Sequence, residues 1–136
     1  MGDFQTGWYC FVEFEDASPT SIFESKGKKA TLEWSSRFEH GFSQIVDWFW
    51  KLDDMKASVE FKSKFERDYI RYYGMLILGR SGDLEYKEQM RLQWRLDKVL
   101  VDSRQIFCIT FDDLYKDLNS RLSNYGLLAY LADKED

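Results

Sequence analysis

The spacing of apolar residues predicts a strand near the start of the chain. Residues 8–15 are rich in aromatic side chains and form a run too short for a helix, which indicates a strand. With a period of two, Glu13 and Glu15 lie on the face that also carries Tyr9 and Phe11. Both glutamates are therefore expected to point the same way.

The segments on either side of this strand are predicted from their turn residues and periodicity. Residues 3–5 would form a very short preceding strand, and residues 16–35 a long surface loop that contains Pro19 and Gly27. From Ser36, apolar residues recur at intervals of three and four, which predicts an amphipathic helix with Ser36 to Glu39 as its capping box. Its predicted core positions are Phe38, Phe42, Ile45, Phe49 and Leu52.

The second half of the chain alternates between buried strands and helices. Residues 56–68 predict a short helix or a connecting segment, and residues 72–79, apolar on both faces and bounded by glycine, predict a central strand. Asp83 is expected to cap a helix that runs to about residue 100, and residues 106–109 predict another buried strand. The core positions expected in the helix after Asp83 are Leu92, Leu96, Val99 and Leu100. Thr110 then opens a last helix, which carries Leu114, Leu118 and Leu122.

This order of elements predicts the fold class. Strands that alternate with helices indicate an α/β or α+β fold in which helices flank a mixed central sheet. The length of 136 residues, with 44% apolar and 18% aromatic residues, predicts one folded domain over residues 1–136 and excludes global disorder. Because the first strand has almost nothing before it, the N-terminal part of the core is expected to be abbreviated.

Charge and cysteine usage narrow the functional classes. The formal net charge of −5 excludes a purely electrostatic nucleic-acid binder, although an enzyme with a cation in an acidic cleft remains compatible with it. Cys10 and Cys108 each lie in an apolar run and are expected to be buried thiols rather than a disulfide. Without a signal peptide or an apolar run long enough to span a membrane, the chain is expected in the cytoplasm with no membrane partner.

The clearest candidate chemistry is the pair Glu13 and Glu15. Side chains two residues apart on a strand lie about 6.5 to 7 Å from one another, so both carboxylates can converge on Mg²⁺. Asp3 lies ten residues before Glu13, across the expected turn, and could add a third carboxylate. The alternative is that these glutamates only face solvent at the end of a strand.

The flank of the predicted first helix carries two further candidates. His40 and Gln44 are four residues apart and can face the same neighbour. His40 is the only histidine, which excludes a multi-histidine site within one chain, and it is expected either to make a structural hydrogen bond or to join the site. Trp34, Trp48 and Trp50 could stack on bases, but tryptophans at helical spacing are more often part of a core.

Several stretches in a fixed order resemble the Shedu anti-phage nuclease domain. They are FVEFEDA at 11–17, Phe23, RFEHGFSQIVDW at 37–48, LILGR at 76–80 and ITFDDL at 109–114. The resemblance extends from about Gly2 to Leu122. It implies a restriction-endonuclease-like core and a metal-dependent DNA endonuclease that uses Mg²⁺ or Mn²⁺.

The resemblance also implies roles for individual residues. Asp3 would be the first metal ligand, Glu13 the second, and Gln44 the helix residue that orients the site or its phosphate. Glu15 stands where the superfamily usually has lysine, and it would act as a metal ligand or general base. As an alternative that rests on their position in the sequence and not on the resemblance, Lys28 or Lys29 in the loop would supply the missing cation.

A non-catalytic alternative remains open at this point. The glutamate in place of lysine, the short N-terminal part and the acidic composition would suit a catalytically inactive interaction or scaffold module on the same fold. The abundance of tryptophan and tyrosine would suit a homo-oligomer interface, although no periodic seam specifies one.

Overall fold

The computed structural model of the protein describes residues 2–3, 5–28 and 30–124, with the side chain of Asp3 outside that description. The fold is a mixed sheet with helices, as the alternating pattern predicts. Its elements are β1 (Gly2–Asp3), β2 (Trp8–Phe14), β3 (Phe23–Glu24), β4 (Glu33–Trp34), α1 (Ser36–Asp54), α2 (Val59–Phe65), β5 (Arg71–Ile77), α3 (Tyr86–Lys98), β6 (Leu100–Val101), β7 (Arg104–Ile109) and α4 (Phe111–Asn124).

The main sheet has the order β1-β2-β5-β7-β6. Strands β2, β5 and β7 are parallel, whereas β1 and β6 pair antiparallel at the two ends. Helix α1 lies in the crossover from β2 to β5, as expected for parallel strands. The prediction of a central strand at β5 is confirmed, because β5 pairs with β2 on one side and β7 on the other.

Helix α1 packs closely on the sheet, and its predicted apolar stripe is confirmed. Phe38, Phe42, Ile45, Phe49 and Leu52 are all buried. Gly74 on β5 makes the close approach possible, because a Cβ added there would lie 2.3 Å from Cγ2 of Ile45. Helix α1 therefore has a fixed position over β2 and β5.

The predicted start of α1 and the predicted loop before it are partly wrong. Ser35, not Ser36, is the N-cap, and its Oγ accepts a hydrogen bond of 2.9 Å from the N–H of Phe38. Ser35 is buried, and its own hydroxyl donates to the carbonyl of Ser21. The segment 16–35 also contains the β3–β4 hairpin, whose aromatic rings pack against the start of α1.

The predicted boundaries of α3 are wrong at both ends. Glu85 is the N-cap and forms a capping box with Glu88, whereas Asp83 lies in a 3₁₀ turn and pairs with Arg80. The core positions Leu92 and Leu96 are confirmed as buried, but Val99 is the C-cap and Leu100 begins β6, and both are exposed. The short β6–β7 hairpin ends the helix before the apolar pattern does.

Helix α4 carries the three expected leucines, and none of them is fully buried. Thr110 Oγ1 caps the helix as expected by contacting the N–H and carboxylate of Asp113. None of the described residues of α4 is buried, and Leu118 is 51% exposed. Leu114 and Leu122 are half-buried, so this stripe is covered only in part by the described chain.

Cys10 and Cys108 are half-buried, whereas the sequence predicted buried thiols. Both cysteines are free, so no disulfide joins them, and burial raises the pKa of the Cys108 thiol to about 12. None of the described helices is long and apolar enough to cross a membrane.

Candidate functional site

Strand β2 carries two glutamates on the face that packs against α1. Glu13 lies within β2, and Glu15 follows its last residue but remains paired with β5, because its N–H donates to the Ile77 carbonyl at 2.9 Å. The predicted shared face of the two glutamates is confirmed. One ligand atom from each of Glu13, Glu15 and His40 lies within 4.8 Å of the others.

Glu15 is held by the first turns of α1. Its side chain is only 7% exposed, and its Oε1 lies 2.6 Å from Nδ1 of His40. Arg37 places Nη1 3.7 Å from the second oxygen, Oε2. Gly41 leaves the room that Glu15 occupies, since a Cβ added to Gly41 would lie 3.1 Å from Cγ of Glu15.

From the spacing of α1 and β2 we infer that Gln44 lies opposite Glu13. His40 contacts Glu15, and eight residues later the ring of Trp48 lies 6.3 Å from that of Phe11, so the helix and strand run in opposite directions. Four helical residues rise about 6 Å and two strand residues about 6.6 Å, so the two spacings match. Gln44 lies midway between His40 and Trp48, as Glu13 lies midway between Glu15 and Phe11.

The electrostatics of Glu13 favour a cation at this position. Desolvation by burial raises the pKa of the Glu13 carboxyl, and the negative charge of Glu15 raises it further. The nearby His40 partly opposes this shift. A bound divalent cation would remove the cost of holding two carboxylates together.

The donor set fits Mg²⁺ or Mn²⁺ through its carboxylates. Magnesium prefers oxygen ligands and keeps several waters, and manganese accepts carboxylate, carbonyl and water ligands in a similar way. The 2.6 Å contact between His40 and Glu15 is a hydrogen-bond distance, so His40 suits the role of orienting the carboxylate. Among the described residues, no other group of three acidic, histidine or cysteine side chains is gathered in this way.

Of the third predicted ligand and the two predicted cations, the structure describes the backbone of Asp3 and the side chain of Lys28. The backbone of Asp3 pairs with Trp8, five residues before Glu13 on β2, which corresponds to about 16 Å along the strand. The side chain of Asp3 lies outside the described residues, and its role as a ligand stays a prediction. Lys28 is exposed in the turn between β3 and β4, and Lys29 lies outside the described residues.

Arg37 is a site residue that the sequence reasoning missed. Its Nε lies 3.7 Å from Oδ2 of Asp16, and its side chain is 62% exposed. The sequence feature that indicates Arg37 is its position three residues before His40, because this spacing places both side chains on one face of α1. Its pairing with Glu15 depends on the approach of α1 to β2, which the sequence pattern alone does not show.

Comparison with known proteins gives one family for this chain. A search of curated proteins finds no match. The family model described as "Shedu protein SduA, C-terminal" matches residues 1–115, most of the chain and all of the residues that form the site. The chain therefore belongs to the Shedu SduA C-terminal family and is a component of a bacterial antiviral defence system.

Proposed function

We propose that the chain is a metal-dependent DNA endonuclease domain whose site is formed by Glu13, Glu15 and His40. The observation that carries the proposal is the approach of these three side chains within 4.8 Å on a strand face next to the start of a helix. Paired carboxylates of this kind can hold one divalent ion while leaving positions for water and a phosphate oxygen. Membership of a defence family supports a nucleic-acid substrate.

Each residue of the site has a distinct role in this proposal. Glu13 and Glu15 would hold Mg²⁺ or Mn²⁺, which when bound lowers the pKa of a water and neutralises charge on the phosphate. His40 fixes the orientation of Glu15 through their 2.6 Å hydrogen bond. Gln44, opposite Glu13, can donate its amide N–H to a phosphate oxygen or to a water beside the ligands.

Arg37 supplies the positive charge that Glu15 cannot. Its contacts with Glu15 and Asp16, at 3.7 Å each, are longer than hydrogen bonds, so its N–H groups are not committed to short contacts there. A guanidinium binds phosphate through two parallel hydrogen bonds, and its charge opposes the negative charge that develops during cleavage. We therefore assign Arg37, rather than Lys28, as the phosphate ligand.

One observation favours a catalytically inactive module as the second candidate function. Glu15 is nearly buried and already has two positively polarised partners, His40 and Arg37. A network of this kind can hold α1 against β2 without any ion. In that case the carboxylates would stabilise the packing of α1 on β2, and the chain would act in defence through contacts with other molecules.

A cleavage assay with matched variants separates the two candidates. Supercoiled and linear DNA would be incubated with the purified chain and Mg²⁺ or Mn²⁺, beside Glu13→Gln and the exposed control Glu60→Gln on α2. We expect nicking by the wild type and by Glu60→Gln, and a loss of at least a hundredfold in Glu13→Gln. A folded wild type that cleaves neither substrate with either metal would favour the inactive module.

A further inference from the structure

A cavity of about 400 Å³ lies beside β2, on the side of the candidate site away from the start of α1. It is bounded by the first half of β2, the second half of α1 and the end of α2. Four aromatic residues and two lysines are among the residues that line it: Tyr9, Phe11, Trp48, Phe65, Lys51 and Lys64. None of the described residues that line the cavity carries a carboxylate.

The cavity and the candidate site lie along the same strand and the same helix. Glu15, Glu13 and Phe11 follow one another at every second position on one face of β2. On α1, His40 and Trp48 are two turns apart, or about 12 Å along the helix axis. A linear ligand that passes the two glutamates therefore reaches Trp48 after about 12 Å along the axis of α1.

The chemistry of the lining suits an unpaired nucleotide chain. Trp48 is half-buried, and its ring is tilted by 53° against Phe11, so its position is supported by packing. Lys51 and Lys64 are both exposed, and they are the charged residues among the described residues that line the cavity, in a chain of net charge −5. Aromatic rings that stack on bases beside cations that contact phosphates are typical of single-strand binding sites.

We propose that this cavity binds a single-stranded segment of the nucleic-acid substrate, with a base stacked on Trp48 and phosphates at Lys51 and Lys64. This inference rests on the proposed function, because the same strand would continue to Glu13 and Glu15 for cleavage. It goes further by naming an unpaired strand as the form of substrate that this cavity binds.

Binding of an oligonucleotide without metal tests this inference separately from cleavage. The probe is a fluorescein-labelled single-stranded DNA of roughly 16 nucleotides, the upper end of the usual site size, followed by fluorescence anisotropy in EDTA. Trp48→Ala is expected to weaken binding at least fivefold, the lower end of the effect of removing one stacking ring, whereas Trp48→Phe keeps most of the affinity. Trp50→Ala is the matched control, because Trp50 lies on the same helix but is 64% exposed and outside the cavity.

The lysines are tested through the salt dependence of the same binding. Replacing Lys51 and Lys64 together by alanine is expected to reduce the slope of log K against log salt by about 1.4, or about 0.7 for each phosphate contact. Lys116→Ala on α4, where the side chain is 72% exposed, should leave that slope unchanged.

The results separate failure of this inference from failure of the proposed function. One result would overturn the inference alone. The wild type cleaves DNA, and both Trp48→Ala and the double lysine variant keep full cleavage activity and the same affinity for the oligonucleotide. Binding that depends on Trp48, without cleavage under any metal, would support the groove and count against the endonuclease. A folded wild type that binds no oligonucleotide, or equal losses in Trp48→Ala and Trp50→Ala, would also overturn the inference.

Discussion

Replacement of Glu13 by glutamine is expected to stabilise the metal-free protein. Glu13 lies with Glu15 in a cluster whose ligand atoms are within 4.8 Å, and its carboxyl has a raised pKa because of burial and the charge of Glu15. Glutamine has nearly the same shape as glutamate but carries no charge. The substitution therefore removes the repulsion without leaving a cavity.

The size of this effect follows from the separation of the charges. Two unit charges 4.8 Å apart repel by about 0.9 kcal/mol in water and by about 3.5 kcal/mol at an effective dielectric constant of about 20. Glu13 is only half-buried, and His40 and Arg37 offset part of the charge of Glu15. The repulsion energy therefore lies near the lower of these two values. We expect Glu13→Gln to raise the free energy of unfolding in EDTA by about 1 kcal/mol, or roughly 3 to 5 °C in Tm.

Metal should reverse the order of stability. An ion that binds the folded wild type with a Kd of about 1 mM adds about 1.4 kcal/mol at roughly 10 mM, and it adds nothing to a variant that cannot bind it. Urea unfolding of wild type, Glu13→Gln and the exposed control Glu60→Gln, each in EDTA and in Mn²⁺, measures both effects. A Glu13→Gln variant less stable than wild type in EDTA would refute the repulsion between the two carboxylates. Equal stabilisation of all three proteins by Mn²⁺ would refute metal binding at Glu13.

Two further substitutions test the packing around the site and the end of the sheet. Gly41→Ala would place a Cβ 2.5 Å from Cδ1 of Leu76 and 3.1 Å from Cγ of Glu15, so an overpacking cost of about 1 to 3 kcal/mol should exceed the gain of about 1 kcal/mol in helix propensity. Chemical denaturation should show a less stable variant, and a stabilised one would mean that α1 moves freely on the sheet. Hydrogen bonds from the hydroxyl and N–H of Ser81 lower the pKa of Asp112, so its contribution is present above pH 4 and is lost as the pH falls below that. Asp112→Ala should cost about 2 kcal/mol at pH 7 and less at pH 3, where the contribution has begun to fall but is not yet lost, because the folded-state pKa lies lower still. A loss at pH 3 equal to or larger than that at pH 7 in urea titrations would contradict this.

The sequence predicted the parts of the fold that depend on local periodicity. Period-two spacing gave the shared face of Glu13 and Glu15, and spacings of three and four gave the buried stripe of α1. Both predictions succeed because the side-chain direction in a strand or helix depends on the backbone geometry of a few neighbouring residues. The family also follows from the sequence, since its motifs are short strings in a fixed order.

Predictions that depended on the exact ends of elements were less successful. Ser35 rather than Ser36 caps α1, because the Ser35 hydroxyl also reaches the Ser21 carbonyl in the preceding loop. Glu85 rather than Asp83 precedes α3, because Asp83 is drawn into a 3₁₀ turn with Arg80. These choices between neighbouring cap residues are decided by contacts that a local pattern does not contain.

By itself, then, the sequence determined that two carboxylates share one strand face and that a polar flank with His40 borders an apolar helical stripe. Only the tertiary structure decided that His40 and Arg37 meet Glu15, because the crossover carries α1 back along β2 in the opposite direction. The glycine contacts at Gly41 and Gly74 then set how closely the helix approaches. The contact between His40 and Glu15 joins residues 25 positions apart, and this distance in the chain is bridged by packing of the helix on the sheet rather than by any local preference.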